Sequence, residues 1–583
     1  MSSTGREEPV SPGFYHAVAL DYDGTLVEGD EAGPEVLEAL ASARRSGRKV
    51  VLVTGRILAE LRRVFPDVDT RVDLIVAENG AVISVGGRER LVSAPVPAAL
   101  DTELQARNVP FLRGESLLAC NGADEPEIVA AIRHLGLECQ LTSNRGHLMV
   151  LPAGVTKGTG LFEGLAYLGV SHHNTIAVGD AENDHSLLDG VELGVAVANA
   201  VESLKAHADL VLERPDGSGI VDLLTGPVVS GHQRVHSPRW RVALGSAPDG
   251  RPASVPASQI NLLVTGPPRR GKSYVAGLLA EKLIRLRYSV LVLDPEGDHT
   301  ALGRMRGVMA VGGRSRLPAP ADLGRLIAHR FSSVVVDLSD LGSEERTAYL
   351  RSVPAAIETQ RAETGLPHWV VLDEAQEVFG RDSPVLALLD PTTTGYCLVT
   401  HLPDELCPEA LLGIDALIAV TGDDPEKVAG LISATGAIPR PAARRLAESA
   451  GAGWAVLVER TGGATVFEIA GRDTRHLRHW HKYSAGKLSW ERRFHFRRSR
   501  EALTGTTAAN VEDLERELRT CPDEVVRHHS QNGDFSRWVA DVLGDSVLAA
   551  DVAAVEEDLR DGDGAVAHAR ERLIAAIESR YPG

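Results

Sequence analysis

The sequence predicts an α/β protein with two separate, largely parallel sheets followed by a mainly helical tail. Three observations predict it. Short apolar, β-branched runs alternate with helical stretches twice over, at His16–Leu20, Lys49–Val53, Leu74–Ala77 and Thr175–Val178, and again at Asn261–Thr265, Ser289–Leu293, Ser333–Asp337, Trp369–Leu372 and Cys397–Thr400. That is the pattern of strands joined by crossover helices. The chain has 583 residues, well beyond the roughly 250–300 at which a single hydrophobic core stops growing. At about Gly471 the character changes to a basic, aromatic segment and then an acidic, Ala-rich helical stretch. There is no repeat at a solenoid period.

The apolar fraction of 43% and charged fraction of 24% exclude a wholly disordered or fibrous chain. No apolar run approaches the roughly 18 residues of a membrane span. Met1–Pro12 is polar and acidic, unlike a signal peptide. Five Cys without a C-x-x-C pair give neither a disulfide framework nor a zinc ribbon. A cytoplasmic location is expected. The net charge of −19 excludes general attraction to nucleic acid or anionic membranes and leaves only local basic patches. Lys is scarce, and Lys157 and Lys272 both fall inside motifs.

The first motif is Asp21-Tyr22-Asp23-Gly24-Thr25, following the apolar run His16–Leu20. Two carboxylates at i and i+2 emerge where ligands of open α/β sheets bind. Such a pair can share a hard cation and keep one group for proton transfer. An Asp beside Gly is, taken alone, equally well an Asx-turn. Other strand ends and helix starts follow in order: Thr54-Gly55-Arg56 after Val51–Val53, Lys157 in Gly154–Gly158, and Gly179-Asp180-Ala181-Glu182-Asn183-Asp184 after Thr175–Val178.

Acid pair, hydroxyl, ammonium and second acid pair in this order resemble the haloacid dehalogenase (HAD) superfamily of phosphohydrolases, over about Tyr15–Leu224. The resemblance implies a Rossmann-like domain with Asp21 as nucleophile, Asp23 as general acid/base and Thr54 as hydrogen-bond donor to the phosphoryl group. Lys157 would neutralise its charge and keep Asp21 ionised. Asp180, Asp21 and the Asp23 carbonyl would hold Mg²⁺, with Asp184 in support, and Asn183 would position Lys157 or the phosphate. The second acid favours phosphatase chemistry over dehalogenation. Ala77-Glu78-Asn79-Gly80-Ala81 resembles the lead into a cap of the sugar-phosphate and phosphoglycolate phosphatase type. A small α+β cap over about 82–151 is therefore expected, and with it a small phosphorylated metabolite as substrate. Arg145 and His147 are weak candidates for contacting it.

The second motif, Gly266-Pro267-Pro268-Arg269-Arg270-Gly271-Lys272-Ser273, fits G-x-x-x-x-G-K-[ST] between a strand and an amphipathic helix. Backbone N–H groups of Arg269 to Lys272 would cradle phosphates, Lys272 would reach the β- and γ-phosphates and Ser273 would hold Mg²⁺. In the strand end Leu372-Asp373-Glu374-Ala375-Gln376, Asp373 suits the Mg²⁺ shell and Glu374 the attacking water. Together with Leu293-Asp294-Pro295-Glu296-Gly297, this set resembles HerA–FtsK-class P-loop ATPases over about Trp240–Gly471. It implies ATP as substrate and a homo-oligomer, typically a hexamer. The class often has a Gln after the sensor strand; here Thr400-His401 stands there. Arg381, Arg440 and Arg444 are candidate arginine fingers.

From Arg472 to Arg500 ten Lys/Arg face two acids among five aromatics. Packing against the ATPase is favoured over nucleic-acid binding, and His476, His479, His481 and His495 lack metal-site spacing. Gly533–Trp538 weakly resembles a tail module found behind other enzymes and implies no activity. The expected organisation is 1–14 as a disordered start, 15–225 as the HAD-like module, and 226–258 as a linker with a leading strand. The P-loop module follows at 259–470 and the tail at 471–583. The function expected is a Mg²⁺-dependent phosphomonoesterase fused to an ATPase. The alternatives are a nucleic-acid motor with an end-processing phosphatase, or a nucleotide-regulated scaffold.

Overall fold

The computed structural model describes residues 13–29, 31–144, 146–313, 315–381, 393–422, 424–433, 437–451, 453–474, 490–499, 502–543, 545–561 and 565–580. The expectations for the first twelve residues, for Arg145 and for His476, His479 and His481 lie outside them. No helix among the described residues is long and apolar enough to cross a membrane.

The first module is an eight-stranded sheet. Its members are β1 (Ala17–Asp21), β2 (Lys49–Val53), β3 (Leu74–Ala77), β4 (Val82–Val85) and β5 (Arg88–Leu91), then, beyond four cap strands, β10 (Thr175–Gly179), β11 (Leu193–Ala196) and β12 (Leu210–Val211), in the order β12-β11-β10-β1-β2-β3-β4-β5. The parallel strands β1, β2 and β10 are nearly all Val, Ile, Leu and Ala, as strands covered on both faces must be. Their register aligns the strand ends. Leu20 is level with Leu52 and Val178, so Asp21, Thr54 and Asp180 leave the sheet at one edge. The cap is a separate four-stranded sheet of β6 (Phe111–Arg113), β7 (Leu118–Asn121), β8 (Cys139–Asn144) and β9 (His147–Pro152) with helices Ala99–Ala106 and Glu125–Leu135. β4 and β5 continue the core sheet by antiparallel pairing, so the cap begins after Leu91 rather than at 82.

The second sheet has eleven strands. Its parallel part is β15 (Leu262–Thr265), β16 (Val290–Asp294), β17 (Val308–Gly312), β18 (Ser333–Asp337), β19 (Trp369–Leu372), β20 (Tyr396–Thr400) and β21 (Ala416–Val420). Antiparallel strands β22 (Trp454–Glu459) and β23 (Ala464–Ile469) extend it, with β13 (Arg241–Ser246) and β14 (Pro252–Pro256) beyond. β15 lies between β20 and β21, and β19 between β16 and β20. The loops after β15, β16, β19 and β20 therefore share one edge.

Residues 226–258, expected as a linker with one leading strand, contribute to both cores and supply two strands. Val228 and Val229 complete the first core, Arg48 donates to the Val229 carbonyl at 2.7 Å, and β13 and β14 join the second sheet. The two modules meet across a buried polar contact. Glu192 accepts from Ser258 Oγ, from Tyr288 Oη at 2.7 Å and from His173 Nδ1 at 2.7 Å. His173 Nε2 faces the Leu286 carbonyl at 2.8 Å, and Trp240 donates to the Val191 carbonyl at 2.9 Å. The tail holds a hairpin, Phe494–Arg497 with Leu503–Ala508, packed on helices from Val511 to Arg580 around Phe494, Phe496, Phe535 and Trp538.

Candidate active site

Asp21 ends β1 fully desolvated, and Lys157 reaches it from the first turn of the helix Lys157–Leu168. Thr156 caps that helix by accepting from Thr159 N–H while the Thr159 hydroxyl accepts from Thr156 N–H, so the helix start is fixed. Gly160 lets it lie against the Glu78–Gly80 turn: a Cβ there would stand 2.4 Å from Gly80 Cα. Thus Lys157 Nζ donates to Asp21 Oδ1 at 2.5 Å and to Asp184 Oδ1 at 2.7 Å. Asp184 Oδ2 accepts the backbone N–H of Asp180 and of Ala181, both at 3.0 Å, which shapes the loop carrying Asp180. Oxygens of Asp21, Asp180 and Asp184 all lie within 4.8 Å of one another.

Three buried carboxylates against one ammonium leave an excess of two negative charges. Burial pushes the Asp21 carboxyl well above the usual range, Asp184 adds to it, and Lys157 opposes it. Burial alone would depress Lys157, but Asp184 and Asp21 outweigh it and raise it. A divalent cation fits this donor set in charge and in ligand type, since hard cations take carboxylate oxygens.

Asp23 lies toward the cleft, with Arg56 Nε donating to its two oxygens at 3.0 and 2.9 Å and Arg56 Nη2 to Oδ1 at 2.5 Å. Thr54 is buried, and its hydroxyl accepts from Arg56 N–H at 3.0 Å. Of the two partners expected for Asn183, Lys157 or the phosphate, the structure does not pair it with Lys157: Asn183 donates to Asn79 Oδ1 at 3.0 Å, Asn79 standing at φ 54° in the turn facing it. Three residues of these motifs have roles that sequence reasoning missed. Thr25 donates to Asp180 Oδ1 at 3.0 Å. Asn79 accepts from Asn183. Glu78 accepts the backbone N–H groups of Glu115, Ser116 and Leu117, at 2.8, 2.8 and 3.1 Å, fastening a cap loop to the core. Their positions beside Asp23 and Gly80 were the available signal; their partners lie tens of residues away. His147, at the start of β9, is exposed.

The second strand-end cluster is separate. Gly266 (φ 152°) approaches Val420 too closely for a side chain, and Gly271 (φ 102°) turns the loop into the helix Lys272–Arg285. Arg269 and Arg270 are exposed. Lys272 Nζ donates to the Pro267 carbonyl at 3.2 Å, closing the loop on itself. Ser273 hydrogen-bonds Asp373; burial alone would raise that carboxyl, but His299 and Ser273 together hold it below its usual range. Asp294 accepts N–H groups of Gly297, Asp298 and His299, and burial lifts it to about 7. Thr400 donates to Gln376 at 2.6 Å and Gln376 to Glu374 at 2.5 Å, with His401 Nδ1 3.4 Å from the same carboxylate. The candidate fingers are engaged at home: Arg381 with the Asp404 carbonyl, Arg440 with Glu426, Arg444 with Glu426 and Glu448.

Residues 18–100 and 123–224 match the haloacid dehalogenase-like hydrolase family. A phosphoglycolate phosphatase of Archaeoglobus fulgidus is 31% identical over 218 residues, 36% of this chain and 95% of that protein. Phosphoglycolate phosphatase 2 of Saccharolobus solfataricus is 30% identical over 217 residues, 36% of this chain and 90% of that protein. A solved HAD subclass IIB sugar phosphatase is 24% identical with a TM-score of 0.31, over 36% of this chain and 97% of its own. With identity of this order along nearly the whole length of the archaeal proteins, and with the Asp21, Lys157 and Asp180 geometry at the matched strand ends, the chain belongs through its N-terminal module to the haloacid dehalogenase-like hydrolases.

Proposed function

We propose that the N-terminal module is a Mg²⁺-dependent phosphomonoesterase acting on a small phosphorylated acid of the phosphoglycolate kind. The observation that carries it is the buried Asp21–Lys157–Asp184 bridge beside Asp180. The relatives' names supply the substrate class. Asp21 Oδ attacks phosphorus, the ester P–O bond breaks, and Asp23 gives its proton to the departing oxygen. Water then attacks the phosphorus of the aspartyl-phosphate, Asp23 takes its proton, and the P–O bond to Asp21 breaks, releasing phosphate. Lys157 balances phosphoryl charge, and the Thr54 hydroxyl is within the same strand-end edge to donate to it. Asp21, Asp180 and the Asp23 carbonyl would hold Mg²⁺, with Asp184 in support; bound there, it would neutralise the phosphoryl oxygens. Asp21→Asn is expected to lower turnover by about 10³-fold or more, since an amide is no nucleophile here. Phosphate release from the best ester of a phosphometabolite panel measures it, and near wild-type turnover would sink the assignment.

For the second module we infer ATP binding and hydrolysis, on the strength of the Gly266–Ser273 loop with Asp373 hydrogen-bonded to Ser273. Lys272 would swing from the Pro267 carbonyl to the phosphates, Ser273 and Asp373 would hold Mg²⁺, and Glu374 would polarise the water. Lys272→Ala should abolish nucleotide binding, whereas Glu374→Gln should bind ATP and stall, a difference that filter binding and phosphate release resolve. Light scattering of the stalled form tests for a homo-oligomer such as a hexamer; DNA-stimulated turnover would favour the nucleic-acid motor, which the −19 net charge disfavours.

A further inference from the structure

We propose that Arg56 is the receptor for a second anionic group on the substrate's leaving group, and that its ion pair with Asp23 is a latch which only such a substrate opens. The inference rests on the phosphatase reading of the N-terminal module. As it stands, both Asp23 oxygens accept from the Arg56 guanidinium. Both oxygens are thereby turned to the guanidinium rather than presented to an ester oxygen. The pair is within the cleft's reach of solvent, with side-chain exposures of 26% for Arg56 and 39% for Asp23. At that exposure water screens the pair, which lowers the cost of trading one carboxylate partner for another. An incoming anion can therefore take the guanidinium.

The backbone of Arg56 cannot follow. Its N–H donates to the Thr54 hydroxyl, and its carbonyl accepts from Glu78 N–H at 3.0 Å. Only the side chain can turn, and it lies over the Tyr22 ring, 5.4 Å from the centroid, which preserves the plane of the fork. Lys157 is already committed to Asp21 and Asp184. Arg56 touches the very group that meets the leaving oxygen, so an anion reaching it must sit within one or two carbons of the ester. A planar guanidinium fits a carboxylate through two parallel hydrogen bonds. The expected class is thus a short phosphorylated carboxylic acid. The substrate carboxylate brings one negative charge to Arg56; a proton taken up from water by the released Asp23 offsets it, and Asp23 can then face the leaving oxygen and give it that proton. Gly55, beside Arg56, faces Met149 of the cap: a Cβ at Gly55 would lie 3.5 Å from the Met149 sulfur.

The test compares 2-phosphoglycolate with 2-hydroxyethyl phosphate, which carries a neutral group in place of the carboxylate. Full-length wild type is expected to prefer the acid by roughly 100-fold in kcat/KM. Arg56→Gln should erase that preference, through loss on the acid accompanied by a gain on the neutral ester. Arg56→Lys, which keeps the charge without the fork, should restore part of it. In the Asp21→Asn background, calorimetric binding of 2-phosphoglycolate should weaken at least tenfold when Arg56→Gln is added, a readout independent of turnover. An equal fall on both esters, or an unchanged ratio, would overturn the assignment while leaving the phosphatase reading intact. Wild type inert toward every phosphomonoester would overturn both.

Discussion

Thr25 donates its hydroxyl to Asp180 across 155 residues of sequence. Asp180 is itself completely buried, and the bond aims one of its oxygens within the carboxylate cluster of Asp21, Asp180 and Asp184. Residues that orient a metal ligand matter nearly as much as the ligand. Thr25→Val keeps the shape and removes the donor. It should therefore raise the Mg²⁺ concentration for half-maximal phosphatase activity by roughly 10–100-fold, with turnover at saturating Mg²⁺ little changed. A Mg²⁺ titration identical to wild type would show that Asp180 needs no such support. Thr25 stands inside a motif that is conspicuous in the sequence, as do Asn79 and Glu78. What was legible was the chemistry at strand ends, because Asp, Thr and Lys are conspicuous after apolar runs. What was not legible was which polar atom meets which. Asn183 found Asn79 rather than Lys157 because the Glu78–Gly80 turn, at positive φ, carries the Asn79 amide into its path.

The helix Lys157–Leu168 decides where Lys157 stands. Its glycine face is its packing face: Gly160 lies against Gly80 and Val76, and Gly164 against Leu74. The close approach draws the N-terminal turn down onto Asp21 and Asp184. At Gly160 an added Cβ would meet Gly80 Cα at 2.4 Å and the Gly80 carbonyl at 2.6 Å, both backbone atoms that cannot rotate away. Gly160→Ala should accordingly cost about 1–3 kcal/mol of stability by overpacking, although Ala favours a helix more than Gly does. Chemical denaturation measures the loss, and a stabilised variant would show that the helix has room to retreat. The same logic explains which elements are legible in the sequence. Buried parallel strands such as Val50–Val53 and Val290–Leu293 read as continuous β-branched runs. The exposed or half-polar strands escape it: Arg88–Leu91, Arg241–Ser246 and Pro252–Pro256 follow pairing partners that are set by the tertiary fold.

The two modules are joined by a buried surface whose polar groups are mostly uncharged. His16, His172 and His368 lie there with Tyr15, Tyr288, Trp240 and Glu192, and the nearest cations are Arg48, Arg287, Arg330 and Arg361. Burial, reinforced by Arg48, lowers His16 to about 4; burial, reinforced by His173 and Arg330, lowers His172 to about 2; burial drives His368 well below its ordinary value. His368 Nδ1 accepts from Ser289 N–H at 2.8 Å, which a doubly protonated ring could not do. A His with a depressed folded value binds its proton only after unfolding. Its contribution to stability is present in full above about 6.5 and is lost as pH falls below that value. Each such His then costs about 2 kcal/mol by pH 5, so the three together account for a marked acid weakening of the joint fold. The thermal midpoint of the full chain should therefore drop steeply between pH 7 and pH 5. His172 provides the discriminating variant. Its ring sits among Phe162, Phe331 and Trp240, and its Nδ1 has no hydrogen-bond partner among the described residues. Phe fills such an aromatic slot without a titrating atom. His172→Phe should leave the midpoint at pH 7.5 almost unchanged, raise it at pH 5, and flatten the pH slope by about one third. Scanning calorimetry at the two pH values decides the matter: a variant whose midpoint falls with acid as steeply as wild type would remove the buried histidines as the cause.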